Sequence, residues 1–198
     1  MGRHKAFEHD QVLDKAMRLF WRKGYEATSV QELVSAMGIN RASLYDSFGD
    51  KHDLFMATID HYVEHVSHKR LAKLKRPGPP LEILAGFFDD LIAVSLGRER
   101  YLGCFLTNSA VELAPHDRIV EQRLRLAIGN IEESFYVLLC RAQSEGTLDP
   151  RRDARALARY LTGAVQGLRV LIRAKADPAV LHDVVRVTLA AVEQDGGP

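Results

Sequence analysis

Cysteine is scarce in this 198-residue chain. It holds only Cys104 and Cys140, too few for a disulfide scaffold and in keeping with a reducing compartment. No run of 18 apolar residues exists, which excludes a membrane-spanning helix. The opening Met1-Gly2-Arg3-His4-Lys5 is not followed by the apolar stretch of a secretion signal. The expected location is therefore the cytoplasm. Alternating strand patterns are nearly absent, which argues against a sheet. The sequence also has no G-x-S-x-G elbow, no P-loop, no G-x-G-x-x-G and no C-x-x-C, so the common enzyme signatures are missing. Charge of either sign is not in excess: 27 Lys and Arg stand against 26 Asp and Glu, which excludes a histone-like polycation. What remains is a chain long enough for one sizeable core or two small ones, patterned throughout as helix.

The charge is nevertheless uneven. Residues 1–76 carry 13 Lys and Arg against 10 Asp and Glu, and the remainder 14 against 16. Six of the eight histidines also lie in the first part. The N-terminal part is thus the end expected to face an anion, by a small margin.

Residues 28–51 are the most informative stretch. Ser29 and Glu32 stand at capping-box spacing. Val30, Leu33, Val34 and Met37 follow at i, i+3, i+4 and i+7, the buried stripe of a short helix. Gly38 sits where a chain leaves a helix through the left-handed region. Asn40 is a good N-cap for a second helix running to about Phe48, with Leu44 and Phe48 inward. Gly49 ends it, and Asp50 caps a third helix beginning at Lys51. This is the plan of a helix-turn-helix, which carries a short helix into the DNA major groove. With Leu44 and Phe48 inward, Ala42, Ser43, Tyr45 and Asp46 face outward, and Arg41 occupies the first turn. Such a face suits a groove.

The segment from about Phe7 to Phe55 resembles the N-terminal domain of the tetracycline-repressor (TetR) family of bacterial transcription regulators. The matching residues are Ala16, Leu19 and Phe20 on a first helix, then Gly24-Tyr25-Glu26-Ala27-Thr28-Ser29-Val30. Ala36-Met37-Gly38-Ile39, Ser43-Leu44-Tyr45, Phe48-Gly49-Asp50-Lys51 and Leu54-Phe55 follow, in register and without gaps. Further on, Gly103-Cys104-Phe105-Leu106-Thr107-Asn108 and Glu112-Leu113-Ala114-Pro115 are similar to one ligand-domain subgroup of the family. The commonest family pattern has an aromatic or small residue and a histidine where this chain has Asp46 and Ser47, so the operator sequence is left open.

The other helices follow from periodicity and stops. The first runs from about 8 to 23, with Val12, Leu13, Ala16, Leu19 and Phe20 inward. A long connecting helix spans about 51–75 and ends at the stiff corner Pro77-Gly78-Pro79-Pro80. Others are expected at about 81–96, 101–113, 117–145, 153–174 and 178–193, about nine in all. In the penultimate helix Leu157, Leu161, Leu168 and Ile172 form a stripe, while Gly163 and Gly167 permit close approach. The last helix carries two stripes, Val180, Val184 and Val187 beside Leu181, Val185, Thr188 and Val192. A helix apolar on two sides needs two neighbours. A symmetric contact with a second chain meets that need, and the resemblance implies such a four-helix dimer interface.

Two other constellations compete for a function. His61-Tyr62-Val63-Glu64-His65 has the H-x-x-E-H spelling of inverted zinc peptidases, with two histidines one turn apart and a candidate general base. His68 lies about 10 Å further along the axis and cannot join the same ion. No third ligand is evident from the sequence, and the favoured reading is a solvated, partly basic helix face with no metal. Cys104, after Gly103 at a helix start, is a candidate redox or electrophile-sensing thiol. The simpler reading is a small buried hydrophobe.

The expectation is an all-α, homodimeric, ligand-responsive regulator without cofactor or enzymatic activity. It would comprise a three-helix DNA-binding domain at 1–52 and a helical effector-binding and dimerisation domain at 53–198. Base contacts fall to Arg41, Ala42 and Ser43, with Gln31 beside them. Asp46 would accept from a cytosine amino group or turn aside to a nearby base. Phosphate contacts fall to Thr28, Ser29, Tyr45, Ser47 and Lys51, assisted by amides at the start of the Lys51 helix. The partners are double-stranded operator DNA, a second copy through the last two helices, and a small-molecule effector; no membrane is involved. Phe87, Phe88, Leu91, Phe105, Asn108, Glu112, Ile131, Phe135 and Gln166 are the candidate effector-lining residues.

Overall fold

The computed structural model describes residues 2–97 and 101–193, with the side chains of residues 2–8, 95 and 96 outside that description. Among the described residues it is all-helical, with nine helices: α1 (Gly2–Lys23), α2 (Val30–Met37), α3 (Arg41–Phe48), α4 (from Lys51), α5 (Pro80–Leu96), α6 (Phe105–Glu112), α7 (Arg118–Ser144), α8 (Ala154–Arg173) and α9 (Pro178–Glu193). No described helix is long and apolar enough to cross a membrane.

The connecting helix α4 departs from the uniform rod that its periodicity predicts. It is α-helical over Lys51–Tyr62, widens to a π turn at Val63–Ser67, returns to α at His68–Leu71 and tightens to 3₁₀ at Ala72–Lys75. A π turn leaves an extra residue in the ladder and is tolerated where surrounding packing holds it, often at functional sites.

The chain folds into two compact units, which differ from a break after residue 52. One comprises residues 1–68 and 108–124, the other 69–107 and 125–198. The boundary moves because α4 continues to bury side chains on α1 well past residue 52. In the first unit Leu13, Ala16, Met17, Phe20 and Trp21 of α1 are buried with Leu33, Val34, Met37, Leu44, Leu54, Phe55, Ile59 and Tyr62. Edge-to-face contacts Phe20–Phe55 at 5.1 Å and Trp21–Tyr62 at 5.1 Å hold α1 to α4. The α1 stripe thus centres on Met17 and Trp21, whereas Val12 and Leu19 are only half-buried.

Segment 108–124 belongs to this unit through two carboxylates. Glu112 accepts hydrogen bonds from the amides of Tyr25 (3.1 Å) and Glu26 (3.0 Å) in the loop after α1. The approach is close because Gly24, at φ +89°, lacks a Cβ that would meet the Glu112 carboxylate at 2.8 Å. Asp117 caps α7 through the amides of Ile119 (2.9 Å) and Val120 (3.0 Å) and pairs with His52 Nε2 at 2.7 Å. The Val120 amide and His52 hold its carboxyl below the usual range against partial burial. A carboxyl depressed in the fold stabilises above its unfolded pKa and loses that contribution as pH falls through the folded value. Asp117→Ala is therefore expected to cost about 1 kcal/mol at neutral pH. The difference in thermal midpoint from wild type should close in acid, below the depressed pKa.

In the second unit Phe88, Phe135, Leu138, Leu139, Ala142, Ala158, Leu161, Leu168, Ile172, Leu181 and Val185 form one continuous core. The proline corner is pinned by Arg141, which donates to the carbonyls of Arg76 (2.9 Å) and Gly78 (3.0 Å). Arg152 donates to the carbonyls of Ala191 and Val192, both at 2.7 Å, satisfying the C-terminal end of α9. On α9, Leu181, Val185, Thr188 and Val192 are buried. Val180 and Val187 of its second stripe stay 44% and 55% exposed.

Candidate nucleic-acid interface and effector cavity

The reading helix α3 is set at both ends. Asn40 accepts from the Ser43 amide at 2.8 Å, and the Gly49 amide closes on the Tyr45 carbonyl. Leu44, fully buried, anchors it. The turn before it depends on Gly38 at φ 73°, ψ 31°, whose amide returns to the Val34 carbonyl. Upstream, Ser29 and Glu32 form the reciprocal capping box of α2. Glu32 also pairs with Lys23, and Lys23 together with Ser29 holds its carboxyl at about 2. The box is therefore charged and intact throughout the neutral range.

This frame leaves Arg41, Ala42, Tyr45, Asp46 and Ser47 exposed on one helix, with Ser43 half-buried and Gln31 exposed on α2. Arg41 leans back on its own helix: Nη2 donates to the Tyr45 hydroxyl at 3.2 Å, and the guanidinium lies 5.6 Å from the ring centre. Among the described residues nothing pairs with Asp46. An outward carboxylate is repelled by phosphate and suits a donor edge such as the cytosine amino group.

Two expectations for phosphate contacts are corrected. Thr28 is fully buried, and its hydroxyl donates to the Gly24 carbonyl at 2.6 Å, so it closes the loop and offers nothing outward. The start of α4 is also partly occupied, because Asp50 accepts from the Asp53 amide at 2.9 Å in a second capping box. Ser29 is exposed, although its hydroxyl is bonded to Glu32 at 3.0 Å. The Lys51 ammonium rests over the Tyr25 ring at 4.2 Å.

The candidate effector residues divide. Phe87, Phe88, Leu91, Phe105, Ile131 and Phe135 are all buried, and Phe87 meets Phe135 edge-on at 5.3 Å. A small cleft open to solvent is lined by Phe87 and Leu91 together with Arg70, Lys73, Asp90, Val94 and Arg169. Lys73 pairs with Asp90 at this wall, and Arg169 is buried. These polar walls were not anticipated. The signal for Arg169 was an arginine directly after Leu168 on the inward stripe of α8. Glu112 does not line this cavity, because its carboxylate serves the loop after α1. Asn108 is half-buried and falls in the other unit. Gln166 accepts from the Thr107 hydroxyl, and its buried Nε2 has no acceptor among the described residues.

The rival constellations fare differently. Cys104 is buried, 7% exposed, as expected of a small hydrophobe. In the H-x-x-E-H segment Glu64 is bonded to His68 at 3.0 Å, and both are exposed. His61 is not on a solvated face but 7% exposed. Burial, then the neighbouring His65, push its pKa below the ordinary value, so it is neutral at pH 7.

Comparison with known proteins agrees with this geometry. Residues 12–58 match the profile of the bacterial regulatory proteins of the tetR family, and residues 80–188 that of the tetracyclin repressor-like C-terminal domain. The HTH-type transcriptional regulator YezE of Bacillus subtilis (strain 168) is 36% identical over 98% of this chain and 100% of its own length. The HTH-type transcriptional repressor ComR of Escherichia coli (strain K12) is 33% identical over 95% of this chain and 90% of its own. A cysteine mutant of the TetR family regulator CifR, solved with 26-base-pair operator DNA, superposes with a TM-score of 0.84 at 28% identity. The match covers 92% of this chain and 95% of that one. With both profiles matched and relatives aligned along nearly the whole length, this chain belongs to the TetR family of bacterial transcription regulators.

Proposed function

We propose that the protein is a transcriptional repressor that binds a palindromic operator as a homodimer and leaves it when a small molecule occupies the second unit. The observation that carries the reading is the exposed face of α3, with Arg41, Ala42, Ser43 and Tyr45 held outward by a buried Leu44 and two caps. Arg41 reads guanine O6 and N7, Ala42 and Ser43 flank it, and Tyr45, Ser47, Ser29 and Lys51 contact phosphate.

The dimer forms through α8 and α9. Its support is a face that the chain leaves uncovered: Tyr160, Val170, Val180 and Val187 are 44–55% exposed. A Cβ added at Gly163 or Gly167 would meet nothing within 4 Å. A second copy fills that space and places two reading helices about 34 Å apart, one turn of the duplex. The effector binds by the Phe87–Leu91 wall, with Arg169 and the unsatisfied Gln166 amide as polar anchors. It acts by binding better to dimers whose reading helices miss that spacing, because only differential affinity shifts a population.

Footprinting of DNA fragments from around the gene tests the reading. One protected inverted repeat is expected, with half-sites centred one helical turn apart, or a multiple of it, and weakening steeply with salt. Protection that follows no sequence would sink it.

A further inference from the structure

The H-x-x-E-H segment acquires in the fold the third ligand that the sequence did not show. Asp10 of α1 lies against His61 and His65 of α4, and one donor atom from each falls within 4.8 Å of the other two. We propose that Asp10, His61 and His65 form a site for a divalent first-row transition ion, zinc being the probe of choice, which joins α1 to α4 within the DNA-binding unit.

Four features of the cluster fit this use. The donor set, two imidazoles and a carboxylate, is one that zinc takes readily at about 2.0–2.2 Å. The two histidine rings stack at 4.2 Å between centres, 25° from parallel, so both edges reach the same side of the helix. His65 Nδ1 lies 3.1 Å from the His61 carbonyl. A donor bond there fixes the tautomer that leaves Nε2 free, the orienting contact of metal-bound histidines. His61 is 7% exposed, so its ring is set in place by the packing around it.

The π turn begins at Val63, between the two histidines. It changes the offset between residues 61 and 65 from that of a plain α-helix and so takes part in the placement of the donors. A tetrahedral ion sets its ligand atoms roughly 3.4 Å apart. Asp10 is exposed, so its side chain has room to close the remaining distance, with water completing the coordination shell. The neighbouring cluster Asp50, His52 and Asp53 is different in kind. Asp50 and Asp53 cap α4, and His52 is paired with Asp117, so its donors are already used.

Full-length protein stripped with a chelator should bind one zinc ion per chain in a calorimetric titration. Its thermal midpoint should rise by about 5 °C when the ion is in hundredfold excess over Kd. Cobalt(II) in place of zinc should give the visible absorption of a nitrogen- and oxygen-ligated low-coordinate ion. Asp10→Asn, an exposed and nearly isosteric change, and His65→Gln should each weaken binding by about tenfold or more; His52→Gln should not. The assignment is overturned if stripped protein takes up no ion, if Asp10→Asn and His65→Gln bind as wild type, or if His52→Gln is the variant that loses the ion. Asp10→Asn keeps the operator-reading face, so operator binding by the metal-free variant separates failure of this site from failure of the DNA-binding reading.

Discussion

Arg41→Ala is expected to weaken operator binding by roughly 30-fold to 10⁴-fold at matched salt. The estimate rests on about 1–3 kcal/mol for a bidentate arginine–guanine contact, counted once in each half-site of a homodimer. Arg41 is exposed at the first turn of α3, and among the described residues it hydrogen-bonds to the Tyr45 hydroxyl of the same helix. Its removal therefore spares the fold and should leave the thermal midpoint unchanged. Non-specific binding should fall much less, because only one cation per copy is lost. Arg41→Lys separates charge from geometry: an ammonium keeps the phosphate attraction but lacks the planar fork, so specificity should drop while non-specific affinity holds. Gel-shift titrations with the footprinted site and with unrelated DNA measure both quantities. Wild-type affinity in Arg41→Ala would remove this residue from the base-reading set and move attention to Gln31 and Ser43.

Val187→Arg should have the second large effect, on assembly. Val187 is 55% exposed and on the uncovered stripe of α9, while the inward stripe of Leu181, Val185, Thr188 and Val192 is untouched. A charged side chain on each copy would be buried without a partner at a symmetric contact, which costs several kcal/mol. The mass in solution should fall to that of one chain, with helical content preserved. Operator affinity should then drop by about 10²–10⁴, because the two reading helices no longer bind as a linked pair. If the variant remained dimeric, the contact would lie elsewhere on the chain.

These two experiments draw on different kinds of information. Arg41 was legible in the chain because a helix-turn-helix is local: Asn40, Leu44 and Gly49 fix which residues of α3 face outward, whatever surrounds them. The two-stripe pattern of the last helix was legible for the same reason, since the 3.6-residue period assigns faces without knowing what covers them. The first helix shows the limit of such reading. Its periodicity placed Leu13, Ala16 and Phe20 inward, as they are, but it also chose Val12 and Leu19, where the packed structure buries Met17 and Trp21.

The sequence by itself determined the helical class, the turn at Gly38, the outward face of α3 and the two-sided last helix. Each rests on caps, glycine conformations and spacings that act within a turn or two. Only the tertiary structure decided the rest. It buried Thr28, took Glu112 from the expected pocket to the amides of Tyr25 and Glu26, some 87 residues away in the chain, and set Arg169 at a cavity wall. It also brought Asp10 to His61 and His65. Such pairings depend on how helices cross, and the crossing is set by the summed packing of many side chains, so no local pattern encodes which distant residues meet.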